Sequence, residues 1–119
     1  TIFANGAGVY EALVAARELS KEVDVEVINV HTIKPIDSET IIKSAKKTGL
    51  VITVEEHSII GGLGSAVAEV LSENLPTKMR RMGMMDKFGE SGEPEELMKK
   101  YKMNSEEIVL QIREMIKNK

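Results

Sequence analysis

The stretch VEEHSIIGGLGSAVAEVL, Val54 to Leu71, follows directly on the run Leu50-Val51-Ile52-Thr53. That run is short, rich in β-branched residues and free of polar alternation, so it reads as a buried strand over Leu50 to Val54. Beyond Gly61, Gly62 and Gly64, the residues Val67, Val70 and Leu71 recur at helical spacing. Gly61 to Asn74 therefore reads as a loop opening into a helix. A strand that turns through glycines into a helix is one βα unit, and the rest of the chain repeats it.

Towards the N-terminus, Gly49 ends a helix that Asp37 is placed to cap, with Thr40, Ile41 and Ala45 along it. Val23 to Val30 is a β-branched run that suits a buried strand, followed by a loop from His31 to Pro35. Val9, Ala12, Leu13, Ala16 and Leu19 mark a helix over Val9 to Lys21. Asn5 to Gly8 is a turn, and Thr1 to Ala4 a first strand. Towards the C-terminus, Thr77 to Met82 is a weaker, basic strand expected near one edge. Met84 to Gly92 is a loop, and Pro94 to Tyr101 a short helix. Asn104 caps a final helix through Lys117, with Glu107 completing a capping box. Its apolar stripe is Ile108, Val109, Ile112, Met115 and Ile116.

The pattern β-α-β-α-β-α-β-α predicts an α/β fold of three layers, α/β/α, with a mainly parallel sheet of about four strands. Right-handed crossovers make 2-1-3-4 the expected order. The order reverses between the first and third strands. Ligands and partners of such sheets sit at the carboxyl ends beside the reversal. Two loops meet there, Asn5 to Gly8 and Glu55 to Gly64.

Composition narrows the chemistry. A length of 119 residues suits one domain with one core over 1–119. The chain opens without Met on the apolar pair Ile2-Phe3, which is expected of a fragment of something longer. A net charge of −3, with only two Phe and two Tyr, argues against a nucleic-acid binder. With no cysteine there is no disulfide, thiolate metal site or cysteine nucleophile. No apolar run is long enough for a membrane span, and no signal pattern opens the chain. A cytoplasmic protein is the expectation.

The glycines do not form a known phosphate motif. A dinucleotide fingerprint needs a third glycine where Val67 and Glu11 stand, and Gly64 is followed by Ser65-Ala66 in place of Lys-Ser/Thr. A helix N-terminus still attracts anions, but a tight turn with close helix–sheet contact is the favoured reading of Gly61 to Gly64. Glu55, Glu56 and His57 are the residue types of acid/base catalysis. Neighbours on a strand end point to alternate sides, so the three do not form a pair by spacing. A structural or interface His57 is favoured over a catalytic one, and His31 reads as a turn residue. With two histidines, metal binding has little support. Met79, Met82, Met84 and Met85 read as core filling, or as a loop that with Phe88 covers a partner surface.

VEEHSIIGGLGSAVAEVL, followed by MDKFGESGEPEELMKKY, resembles the C-terminal domain of transketolase. The resemblance runs nearly the whole chain, through NGAGVYEALVAARELSKE, INVHTIKPID and the last helix. Lys87 stands where the family often has arginine, and Glu93 where a capping serine is common before Pro94. The resemblance implies an enzyme of sugar-phosphate metabolism that moves two-carbon ketol units with thiamine diphosphate and a divalent metal, Mg or Ca. It implies that those groups sit in other domains, because the family's Gly-Asp-Gly and Asn-Asn metal motif and its activating glutamate region are absent here. The domain resembled supplies dimer contacts. Its expected partners are the other transketolase domains or a separate subunit, in a homodimer or heterotetramer. The interface residues then expected are Glu56, His57, Gly61, Gly62, Phe88 and Glu90, with none catalytic, cofactor-binding or metal-binding. The family domain also has an extra antiparallel first strand, which implies an exposed sheet edge where none precedes Thr1. Three other readings stand beside this one. The related 2-oxoacid dehydrogenase E1 β subunit and deoxyxylulose-phosphate synthase commonly carry Glu-Glu-Gly where this chain has Glu55-Glu56-His57. A free-standing regulatory domain would bind a nucleotide or other anion at Gly61 to Gly64. A purely structural module would have lost its catalytic partner.

Overall fold

The computed structural model describes residues 1–31, 35–58, 62–84 and 104–118, with backbone only at 56–58 and 84. The elements in chain order are β1 (Ile2–Ala4), α1 (Ala7–Glu18), β2 (Val27–Asn29), α2 (Ser38–Thr48), β3 (Leu50–Ser58), α3 (Leu63–Asn74), β4 (Lys78–Met84) and α4 (Ser105–Lys117). Among the described residues the four strands form one parallel sheet in the order β2-β1-β3-β4, as expected. The short helix expected over Pro94 to Tyr101 and the loops at Thr32 to Lys34 and Met85 to Gly92 lie outside the described residues.

Strand alternation sorts the core into two faces. Ile2, Ala4, Ile52, Val54 and Met82 pack under α1 and α4, while Phe3 and Val51 pack under α2 and α3. Both faces of β1 and β3 are thus apolar, the burial that parallel strands require. Full burial of a side chain such as Phe3 or Ile2 contributes about 1.5–3 kcal/mol.

Local signals set the helix ends. Asp37 caps α2: its Oδ1 accepts from the Thr40 amide at 3.1 Å and its Oδ2 from the Thr40 hydroxyl at 2.7 Å. These bonds hold the Asp37 carboxyl below its ordinary range. Gly49, at φ 80°, ends the helix in the left-handed region, where its amide donates to the Ala45 carbonyl. Asn104 caps α4 through the Glu107 amide at 3.2 Å. The expected reciprocal bond of a capping box does not form, because Glu107 Oε1 accepts from Gln111 Nε2 at 3.0 Å.

Several boundaries differ from expectation. β4 spans Lys78–Met84 where Thr77 to Met82 was expected, and so takes in Met84 from the loop expected over Met84 to Gly92. The strand expected over Val23 to Val30 shortens to Val27–Asn29. Val23 is held to the end of α1 by its amide bond to the Leu19 carbonyl at 2.8 Å, which takes it out of the sheet. α1 spans Ala7–Glu18 where Val9 to Lys21 was expected. β3 runs four residues past Val54, to Ser58, and carries the Glu55-Glu56-His57 triplet inside the strand. Among the described residues no helix is long and apolar enough to cross a membrane.

Candidate functional site: the carboxyl ends of β1 and β3

The order β2-β1-β3-β4 brings the end of β1 beside the end of β3, tied by the Asn5 amide to the Val54 carbonyl at 3.2 Å. Two strand-to-helix junctions meet here. The β1–α1 junction is short: Asn5 and Gly6 turn the chain, and the Gly8 and Val9 amides bond back to the Asn5 and Gly6 carbonyls. The β3–α3 junction is longer and starts in an irregular stretch of strand. β3 and β4 pair in step from Leu50↔Lys78 to Val54↔Met82, and the next pair is Ser58↔Met84. Between those last two pairs β3 has two residues more than β4, a bulge-like departure from regular pairing.

Glu55 is the best-defined polar group of the site. It is 1% exposed. Its Oε1 accepts from the Leu63 amide at 3.0 Å and its Oε2 from the Gly64 amide at 2.7 Å. Those are the first two amides of α3, which have no partner inside the helix. The N-cap residue is Gly62, which has no side chain to serve them. A carboxylate from the strand takes that place, favoured further by the positive end of the helix dipole. An analogous bond starts α4, where Glu11 Oε2 of α1 accepts from the Ser105 amide at 2.9 Å.

Two glycines let the helices come close enough. A Cβ on Gly64 would lie 2.9 Å from both Thr53 Oγ1 and Arg81 Cδ, and one on Gly8 would lie 2.9 Å from the Val54 carbonyl oxygen. The reading of Gly64 as a close helix–sheet contact is therefore correct, and Gly8 makes a second such contact against the same strand. Arg81 reaches over the start of α3, with Nη1 3.5 Å from Ser65 Oγ. On the opposite face, Arg80 bonds Gln111 and pairs with Glu114 at 3.3 Å.

Of the residues expected at an interface, Gly62 is the N-cap of α3, and Glu56 and His57 lie on β3 in the irregular stretch. Gly61, Phe88 and Glu90 lie outside the described residues. The role of Glu55 is what the sequence reading missed. Its signal was a helix start at Gly62 without a capping side chain, preceded by a carboxylate at the end of an apolar strand. A cavity of about 380 Å³ opens at the opposite end of the sheet between Val25, Leu50, Ile112 and Met115. It lies away from these groups.

The sequence model described as Transketolase, C-terminal domain matches residues 1–108. The chain is 49% identical to the 6-deoxy-6-sulfo-D-fructose transketolase subunit SqwH of Clostridium sp. (strain MSTE9), over 100% of this chain and 37% of that relative. It is 42% identical to an apulose-4-phosphate transketolase subunit of Phocaeicola vulgatus, over 98% of this chain and 38% of that relative. A solved structure described as a split gene transketolase, inactive beta4 tetramer, superposes with a TM-score of 0.86 at 45% identity. That match covers 95% of this chain and 37% of the other. The chain thus spans little more than a third of the length of these proteins.

Proposed function

Because this chain belongs to the transketolase C-terminal-domain family, we propose that it is the noncatalytic, assembly-forming part of a transketolase-type enzyme. The holoenzyme transfers two-carbon ketol units between sugar phosphates, using thiamine diphosphate and a divalent metal held by other segments. Relatives named for a sulfo-fructose and for apulose 4-phosphate support the reaction class and leave the sugar to those segments. Both are named as subunits, and the structural neighbour is a split-gene enzyme, which supports a parent divided into two polypeptides. The partner is then the complementary subunit, within a heterotetramer or larger assembly.

The observation that carries the noncatalytic reading is the Glu55 carboxylate. A diphosphate seated at this crevice would need the free amides of a helix start. At α3 those of Leu63 and Gly64 already face a buried negative charge. Among the described residues no three His, Asp or Glu side chains converge as metal ligands. The engagement of the Leu63 and Gly64 amides speaks against a diphosphate or a regulatory anion seated on them. The interface residues proposed are Glu56, His57, Gly61, Gly62, Phe88 and Glu90, with His57 and Glu56 making polar contacts to the partner.

Substituting His57→Ala in the full-length enzyme tests this. Subunit association, followed by sedimentation against concentration, weakens by about tenfold. The kcat of fully assembled enzyme stays unchanged. A lost kcat with intact association would replace the assembly role with a catalytic one.

A further inference from the structure

We propose that Glu55 is a positioning residue whose carboxylate acts as a built-in ligand for the start of α3 and so fixes where that helix begins against β3. Three independent features place it in that role. Both carboxylate oxygens accept backbone amides, at 3.0 and 2.7 Å, from a side chain 1% exposed. The N-cap is a glycine, so nothing local can substitute. The regular pairing of β3 with β4 ends at Val54 and resumes at Ser58↔Met84, so the carboxylate sits where the strand changes register. Gly64 completes the arrangement. Its lack of a side chain seats α3 against Thr53 and the Arg81 stem, which sets the height at which the two amides meet the carboxylate.

The consequence is mechanical. The residues between Glu55 and Leu63 form one span of chain whose two ends are joined by the Glu55 side chain. Sequence inside the span can then change to suit a partner while its two ends stay fixed. That this span meets a partner rests on the assembly reading above; the carboxylate's role does not.

The test uses the full-length protein with Glu55→Ala and Glu55→Gln. The alanine variant leaves two buried amides without an acceptor and lowers Tm by about 5 °C or more. Formate is small enough to stand in for the missing carboxylate. At equal ionic strength against chloride, it restores part of the lost Tm in the alanine variant and leaves wild type unmoved. Glu55→Gln keeps the volume but points an N–H at an N–H, so it gains nothing from formate. Hydrogen exchange at the Leu63 and Gly64 amides accelerates at least about tenfold in the glutamine variant, a readout that survives if the alanine variant fails to fold. Wild-type protection of those amides in the glutamine variant, or equal formate effects on wild type and the alanine variant, would overturn the proposal. Faster exchange with unchanged subunit affinity would uphold the role of Glu55 and overturn the assembly reading of 56–62.

Discussion

At the β3–α3 junction, the first helix amides reach a buried carboxylate from the strand, and a loop of several residues lies between. At the β1–α1 junction, only Asn5 and Gly6 separate strand from helix, and Gly6 caps α1 with no side-chain hydrogen bond. The short turn closes on its own backbone and has no room for other sequence. The longer one is anchored by a strand side chain that binds the first amides of the helix. A sheet that must hold two helices close and still present a variable surface can do so by making one junction tight and the other remotely anchored. The partner-facing surface proposed for this chain is on the second kind.

The tight junction should be the less forgiving of the two, and Gly8→Ala is the strongest way to break that comparison. The new Cβ would meet the Val54 carbonyl oxygen at 2.9 Å and Val54 Cγ1 at 3.0 Å. The first is backbone of the central strand and cannot rotate away, so α1 must lift from β3. Overpacking of this kind costs about 1–3 kcal/mol, against about 1 kcal/mol gained in helix propensity. A net loss of up to about 2 kcal/mol in urea unfolding is expected. A neutral Gly8→Ala would mean that α1 is not pressed on β3.

Gly64→Ala should cost less, about 1 kcal/mol, because the nearest atoms at 2.9–3.0 Å belong to the side chains of Arg81 and Thr53. Arg81→Ala removes two of those three contacts. In that background the cost of Gly64→Ala should fall by about 0.5 kcal/mol or more in a double-mutant cycle. An unchanged cost would show that Thr53 alone, or the helix backbone, sets the limit. Smaller still is Asn5→Ala. Asn5 Oδ1 is buried with no hydrogen-bond partner among the described residues, in contrast to Glu55, whose two oxygens both accept amides. Removing it should shift stability by less than about 0.5 kcal/mol. A loss of 1 kcal/mol or more, read in the same urea series, would place a hidden acceptor role at the tight junction as well.

The contrast also marks what the sequence made legible. The strand runs at Ile2 and Leu50, the caps at Asp37 and Asn104 and the stop at Gly49 all act on residues within four positions, so spacing alone revealed them. The sheet order followed from parallel strands and crossover handedness. β2 was over-read because Val23 and Val25 fit a strand pattern, while the bond that removes Val23 depends on how α1 ends. Glu55 was not legible as a cap because eight residues separate it from Leu63. Whether they meet depends on the irregularity in β3, and that is a property of its pairing with β4. The interface role proposed for Glu56 and His57 came from resemblance, since no spacing in the triplet fixes where those side chains point.

The amino ends of the strands supply a last contrast, between a buried carboxylate and a half-exposed one. Glu26 Oε1 accepts from the Ser44 hydroxyl at 2.7 Å and Oε2 from Lys47 Nζ at 3.0 Å, tying the approach to β2 onto α2. The Ser44 bond first, and Lys47 second, hold the Glu26 carboxyl below its ordinary range. A carboxyl lowered by folding contributes stability that is present above its unfolded pKa and is lost as pH falls through the folded value. Glu26→Gln should therefore cost stability at neutral pH, and the gap to wild type should close on acidification below about pH 4.5. With Lys47 largely exposed, that gap should be under about 1 kcal/mol. Glu55→Ala should lose more, because there the groups left behind are buried amides. Urea unfolding of both variants from pH 7 to pH 3 makes the comparison. A larger neutral-pH loss for Glu26→Gln than for Glu55→Ala would reverse the ranking of the two ends of the sheet.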